Sequence, residues 1–303
     1  MKIQYIDKKF SLKSINLIDT ANKIIREYQA DGFDLTLRQL YYQMVARDLI
    51  PNTQKEYKRI GSILNDARMA GLVDWYAIVD RTRTLRRNSH WSHPASILES
   101  AAASYLQDKW NGQPYRVEVW IEKDALVGVI ADVCEKWDAP YFSCRGYNSQ
   151  SNMWSAGHNR FRENRRQKKV VLHLGDHDPS GIDMTRDIDD RLAIFAEGAE
   201  VVDVRRIALT MDQVDLYGPP PNPAKVTDSR ANGYIDRFGR NSWELDALEP
   251  RVIVDLIESS IKELIDKGPW DDVEAEIADH RATLNKIAEN YNSIKEYIDD
   301  GGF

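Results

Sequence analysis

The chain has 303 residues, of which 42% are apolar and 29% charged, with a net charge of −7 and two cysteines. That is enough apolar material for two domains with real cores, and no apolar run approaches the roughly 20 residues of a membrane helix. The acidic balance excludes a simple basic nucleic-acid binder, yet the charge is unevenly shared. Residues 1–120 carry +5 (18 Lys and Arg against 13 Asp and Glu), and residues 121–303 carry −12 (23 against 35). A basic front suggests an anionic partner there. The opening "MKIQYIDKKF" lacks the apolar stretch of a secretory signal. Cys134 and Cys144 stand in neither a metal-ligand nor a redox spacing, so the expectation is two buried thiols in a cytoplasmic protein.

In chain order, "SINLIDTANKIIREY" puts Ile15, Ile18, Ala21, Ile25 and Tyr28 on one helical stripe. Thr36 caps a second helix, "LRQLYYQMVARDLI", and "QKEYKRIGSILNDARMAGLVDW" carries a third. "YAIVDRTRTLRRN" starts β-prone and runs into four arginines. Three helices and a basic ribbon outline a winged helix, a helix-turn-helix variant, over residues 1–92. A helical domain with a solvated basic loop fits the same pattern. In the winged-helix version, Lys55, Lys58 and Arg59 join Arg81, Arg83, Arg86 and Arg87 on the backbone of double-stranded DNA. Affinity should then fall steeply with salt.

A connecting helix, "PASILESAAASYLQDKW", is predicted within residues 93–115. Over residues 116–215 strand-like and helix-like segments alternate: "YRVEVWIE", "DALVGVIADVCEKW", "APYFSCRGY", a polar helical stretch to "ENRRQKK", "VVLHLGD", "DMTRDIDDRLAIFAEG" and "AEVVDVRRIAL". Alternation at that pitch predicts a Rossmann-like parallel α/β sheet, whose ligand site lies beyond the carboxyl ends of its strands. Residues 216–303 begin with the proline-stiffened "YGPPPNPAKVTDS" and end as a helical extension. There Val273, Ile277, His280, Leu284, Ile287, Tyr291, Ile294 and Ile298 follow a heptad, which either joins two chains or packs on its own domain. The arginines of "SRANGYIDRFGR" (Arg230, Arg237, Arg240), with Glu244 beyond them, lie in a stretch that either folds over the site or stays solvated.

Three acids sit where chemistry is expected. Glu122 ends the first sheet strand, and Asp176 and Asp178 end a later one, in "VVLHLGDHDPSG". Residues two apart on a strand face the same way, so both aspartates can share one ion with Glu122. Carboxylate oxygens without cysteine or clustered histidine suit Mg²⁺. Asp183 is an outer acid or a helix-start residue, His177 turns to the opposite face, and His173 belongs to the core. Lys123 offers a phosphate contact or a solvated helix start.

The pair Tyr41–Tyr42 in "LTLRQLYYQM" is separated by helical geometry. With Leu40 at zero and about 100° per residue, the apolar positions Leu37, Met44, Tyr41 and Val45 fall between about 40° and 140°, whereas Tyr42 falls near 200°. Tyr42 is therefore expected off the stripe, with a free hydroxyl next to Arg38 one turn earlier. An ordinary phenol titrates near ~10, so attack needs a base or a nearby cation, and Arg38 can hold a phenolate or a phosphate.

Glutamate on one strand and Asp-x-Asp-x-x-Gly on another resembles the toprim domain of topoisomerases, primases and some nucleases. "IEKDAL", "SCRGY" and "GDHDPSG" resemble the versions in the topoisomerase VI A subunit and the related meiotic double-strand-break enzymes. "TLRQLYY" is similar to the Thr-x-Arg-x-x-Tyr-Tyr element of that family's winged helix, and the chain length resembles its compact Mini-A relatives. The resemblance implies a Mg²⁺-dependent transesterase in which Tyr42 attacks DNA to form a 5′-phosphotyrosyl link. Glu122, Asp176 and Asp178 would hold the metal, and Arg38 and Lys123 would assist. It also implies a homodimer making staggered double-strand breaks, with the tyrosine of one protomer working at the metal site of the other. The alternatives are a winged-helix toprim nuclease that hydrolyses DNA without a covalent tyrosine, and a non-catalytic DNA-binding module. No Walker-type Gly-x-x-x-x-Gly-Lys-Ser/Thr occurs in the sequence, which leaves a separate ATPase subunit open.

Overall fold

The computed structural model describes residues 1–79, 88–162, 167–198, 202–224 and 227–302. The chain is mixed α/β and divides into two compact units, Met1–Arg83 with Val117–Glu263, and Thr84–Arg116 with Leu264–Phe303.

The first unit opens with three helices, α1 (Leu12–Ala30), α2 (Leu37–Ala46) and α3 (Gln54–Met69). Each starts on a hydroxyl cap: Ser11, Thr36 and Thr53 accept backbone N–H bonds that the first helical turn cannot satisfy. Thr36 forms a full capping box, its Oγ1 accepting from Gln39 N–H (3.3 Å) and its N–H donating to Gln39 Oε1 (2.8 Å). Ile18, Ala21, Ile24, Ile25, Leu40, Met44, Ile60 and Leu64 bury the stripe between them. Of the predicted α1 stripe, Ile15 stays exposed. The β-prone stretch after α3 forms no strand as far as Val79. Ile78 makes a single parallel bridge to Leu35, and Val79 N–H donates to the Leu35 carbonyl (3.0 Å). Arg81, Arg83, Arg86 and Arg87 lie outside the described residues.

The sheet of this unit has four parallel strands in the order β2-β1-β3-β4: β1 (Tyr115–Ile121), β2 (Tyr141–Ser143), β3 (Lys168–Leu174) and β4 (Val202–Ala208). Val119 pairs with Tyr141, and Val171 with Val204. β1 and β3 are central, and β3 is buried from Lys169 to Leu174, as a parallel strand covered on both faces must be. Helices α5 (Val127–Lys136), α6 (Gln150–Trp154) and α7 (Pro179–Phe195) follow β1, β2 and β3. Trp120 and Val171 meet Met153, Phe161, Ile188 and Leu192 in one core, and α10 (Pro250–Lys262) packs on α5 and β4. After β4 come α8 (Met211–Tyr217), the short antiparallel pair β5 (Asn222–Pro223) and β6 (Asn241–Ser242), and α9 (Ala231–Phe238) between them. A 3-10 turn, Leu245–Ala247, then packs on α2, and Ala247 enters the helical core.

The second unit packs α4 (Pro94–Ser104) on α11 (Lys267–Glu289), and α12 (Tyr291–Asp299) follows. Trp110 meets Trp270 edge-on at 5.4 Å, and His280 Nδ1 lies 2.9 Å from the Tyr105 hydroxyl. The early heptad positions thus pack within their own unit, whereas Ile294 and Ile298 are exposed. Among the described residues no helix is long and apolar enough to cross a membrane.

Candidate functional site

The carboxyl ends of the two central strands carry the predicted acids. Glu122 and Lys123 follow β1, and Asp176 and Asp178 follow β3. Glu122 N–H donates to the Leu174 carbonyl (2.8 Å), and Glu122 Oε2 accepts from Asp176 N–H (2.9 Å), so the two strand ends are tied directly. Asp176 is 6% exposed. Its Oδ2 lies 2.6 Å from Lys123 Nζ, and its Oδ1 accepts from Leu245 N–H at 2.8 Å. Asp178 spends Oδ1 on the start of α7, accepting from Gly181 N–H (2.6 Å) and Ser180 Oγ (3.0 Å). Gly181 is needed because a Cβ there would lie 2.2 Å from the Asp176 carbonyl oxygen. The "PSG" turn serves that close approach within the chain.

Two further acids complete the cluster, Glu244 and Asp246 from "WELDAL". Arg38 pairs with Glu244 Oε2, and its Nε lies 2.7 Å from Asp246 Oδ2 without the alignment of a hydrogen bond. Lys123 Nζ also reaches Glu244, at 3.4 Å. Arg38, Lys123, Asp176, Glu244 and Asp246 thus form one connected network between α2 and the strand ends. Asp183 is not part of it; it bonds Tyr147, Arg186 and Arg230 instead.

Tyr42 departs from the expectation of an outward ring. It is 4% exposed, like Tyr41, and both rings belong to the helical core. Tyr42 lies off the apolar stripe of the isolated helix, but the 3-10 turn at 245–247 packs onto that helix from about 200 residues away. The two hydroxyls nevertheless differ. Tyr41 Oη donates among the Asn52 side chain and the Thr53 carbonyl (both 3.1 Å), whereas Tyr42 Oη accepts from Arg38 Nη2 (3.3 Å) at the edge of the charged network. Burial, reinforced by Glu244 and Asp246, holds the Tyr42 phenol well above its ordinary range, against the pull of Arg38 and a hydrogen bond from Asn222.

Charge in the network is unbalanced. Burial, aided by Asp176, pushes Glu122 up to about 7, and burial pushes Asp246 up to about 7 despite Lys123 and Arg38. Asp176 is raised by burial, with Lys123 opposing. Burial also works to raise Glu244, but Lys123 and Arg38 outweigh it and hold that carboxyl below its ordinary range. For Lys123, burial is outweighed by Asp176, Asp246 and Glu244, and the ammonium is held above its usual range.

Behind the acids lies Arg206 of β4, which sequence reasoning did not single out. Its guanidinium donates to the carbonyls of Leu209 (3.1 Å), Gly181 (2.9 Å), Gly175 (2.9 Å) and Asp176 (2.6 Å), and to Thr185 Oγ1 (2.9 Å). Burial pushes it down to about 10. A charged residue inside a strand-like run, "VVDVRRIAL", was the available signal. His173 is fully buried with Nδ1 2.9 Å from Thr185 Oγ1, and His177 is buried with Nδ1 2.7 Å from Tyr234 Oη, so both histidines are structural.

The residues present fit a magnesium ion by charge and donor type. Five carboxyl groups (Glu122, Asp176, Asp178, Glu244, Asp246) stand near three cations (Arg38, Lys123, Arg206), an excess of two negative charges that either protons on the raised Glu122 and Asp246 or one divalent ion would offset. Asp246 Oδ1 is buried and without a hydrogen-bond partner, and all the donors are hard oxygens. The trio Glu122, Asp176 and Asp178 is not a preformed ligand set, however. Among the described residues no three carboxylate, imidazole or thiolate groups converge on one point, and the Lys123 ammonium takes the place of a cation beside Asp176.

Of the predicted DNA contacts, Lys55, Lys58 and Arg59 are exposed on α3, with Arg59 held by Glu56 (Nη2 to Oε2, 2.6 Å). No protein-family model matches the chain, and no curated protein matches it.

Proposed function

We propose that the chain is a Mg²⁺-dependent, DNA-cleaving enzyme of the topoisomerase VI A type, built from a winged helix and a toprim sheet. One observation carries this reading: Arg38, Tyr42, Lys123 and Asp176, drawn from distant stretches, meet in a single charged network with Glu122 at its edge. A structural core has no use for five carboxyl groups and three cations packed at strand ends, since burying charge is costly unless function requires it.

In this mechanism Lys123 and Arg38 receive the scissile phosphate, exchanging carboxylate partners for phosphate oxygens. The Tyr42 hydroxyl adds to phosphorus, the P–O3′ bond breaks, and the 5′ end stays on the phenol. The phenolic proton passes to solvent water while Arg38 stabilises the forming phenolate, and the departing 3′ oxygen takes a proton from water to leave as a hydroxyl. Glu122, Asp176 and Asp178 would hold Mg²⁺ once the Lys123 ammonium turns from Asp176 to the phosphate, and the ion when bound supplies charge stabilisation to the phosphate and the leaving oxygen. Tyr42 is covered in this arrangement, so DNA must displace the 3-10 turn and Arg38 must part from Glu244 and Asp246 before attack.

The burial of Tyr42 favours a second reading, a toprim nuclease in which water attacks and the phenol only orients Arg38. Supercoiled plasmid incubated with Mg²⁺ and then denatured separates the two. Protein retained on 5′ ends, lost in Tyr42→Phe and Asp176→Ala but kept in Tyr41→Phe, supports the transesterase. Cleavage with free 5′ ends that survives Tyr42→Phe supports the nuclease. Binding without cleavage, indifferent to Asp176→Ala, rejects both.

A further inference from the structure

Between the start of α7 and α9 lies a cavity of about 260 Å³ that the charged network does not use. Its walls combine two chemistries. Tyr234 and Phe238 give an aromatic side, with the Arg237 guanidinium over the Phe238 ring at 5.0 Å. Arg186 and Arg230 stand with Arg237 at the rim against one lining carboxylate, Asp183. Asp183 bonds both Arg186 and Arg230, and these also reach Asp190 and Asp228 outside the lining, so a phosphate there would exchange for these carboxylates and meet Arg237 directly.

The glycine in its wall is a separate observation. Gly233 lies inside α9, where glycine weakens a helix relative to alanine. A Cβ added there would meet no atom within 4 Å, so no neighbouring group of the chain requires the glycine. A ligand approaching the helix backbone would. Aromatic rings, a stacked guanidinium and a cationic rim are the surfaces on which unpaired nucleobases and their phosphates sit. The cavity begins at Pro179, the residue after Asp178, so it adjoins the acid cluster along the chain.

We infer that this cavity binds one unpaired nucleotide unit, the base against Tyr234, Phe238 and Gly233, and the phosphate among Arg186, Arg230 and Arg237. A DNA strand and a free nucleotide present the same chemistry. The choice of a strand rests on the proposed DNA-cleaving function; the site itself does not. Bound there, a strand would be held single beside the scissile phosphate.

The test is binding by the full chain in EDTA, where cleavage plays no part. The probe is a fluorescein-labelled oligothymidylate, followed by anisotropy and competed with thymidine 5′-monophosphate. Gly233→Leu, which fills the cavity without changing charge, and Arg237→Glu, at an exposed position, should each weaken the strand about tenfold or more while the far-ultraviolet dichroism is kept. With those losses, displacement by the monophosphate assigns the site to a free nucleotide, and resistance to it assigns the site to a strand. Unchanged binding in both variants overturns the inference. So does a loss confined to Arg237→Glu with Gly233→Leu folded, since surface charge alone then explains it. Failure of the cleavage reading would leave these binding results standing, so the two are separable.

Discussion

The floor and the roof of the charged network are built differently. The floor is Arg206, whose five hydrogen bonds go to four backbone carbonyls and one hydroxyl. The roof is Arg38, held over Tyr42 by the side chains of Glu244 and Asp246, on a guanidinium that is 43% exposed. Backbone bonds in a buried site are lost only with the fold, whereas the partly exposed Arg38–Glu244 pair is screened by salt and contributes little stability; only the buried Asp246 anchors the roof from within. The strand ends thus hold their acids in place, and under the proposed mechanism the segment over the tyrosine is the part that must move.

The largest expected effect breaks the floor chemically. Asp176→Ala should lower DNA cleavage by about a hundredfold or more, since it removes the partner of Lys123 and a donor for Mg²⁺; initial rates on plasmid check this. Next comes stability. Arg206→Met removes five hydrogen bonds, with the Gly175 carbonyl keeping Leu209 N–H and Thr185 Oγ1 keeping His173 Nδ1, and should lower unfolding free energy by about 3 kcal/mol or more, measured by urea denaturation. A loss below about 1 kcal/mol would mean that the floor is not held as described.

Acidity provides a smaller and more specific effect. Glu122 and Asp246 are both raised to about 7 in the fold, so between about pH 4 and 7 the native chain holds protons that the unfolded chain has released. The contribution of these two carboxyls therefore falls as pH rises through that window, whereas the buried His173 and His177, pushed down to about 3 and about 4, contribute with the opposite sign. The carboxyl part is isolated by substitution: on going from about pH 5 to about pH 8, the urea midpoint of Asp246→Asn should change more favourably than that of the parent. Equal changes in parent and variant would contradict the raised Asp246. The smallest effect concerns the roof: Glu244→Gln should change stability by about 1 kcal/mol or less, yet raise the rate at which Tyr42 is nitrated by tetranitromethane. Equal nitration in parent and variant would mean that Arg38 and Glu244 do not secure the cover.

Much of this was legible in the residues. The Thr36–Gln39 capping box, the α/β alternation and the placing of Glu122, Lys123 and Asp176 at neighbouring strand ends follow from local spacing and the two-residue period of a strand. Tyr42 did not follow the local rule, because the side of α2 that its ring occupies is covered by the turn at Leu245–Ala247. Glu244 and Asp246 were hidden for the same reason: nothing in "WELDAL" says that it folds back onto Arg38. Arg206 was visible only as an oddity, a cation within an apolar strand, until its carbonyl partners came into view.

The most direct measurement is the chemical identity of the attacking group. DNA incubated with the protein and Mg²⁺ is digested with nuclease and trypsin, and the peptide spanning residues 39–47 is fragmented in a mass spectrometer. A nucleotide esterified to the Tyr42 oxygen is the predicted result. A modification on Tyr41, or cleaved DNA with free 5′ phosphates and an unmodified peptide, would contradict it.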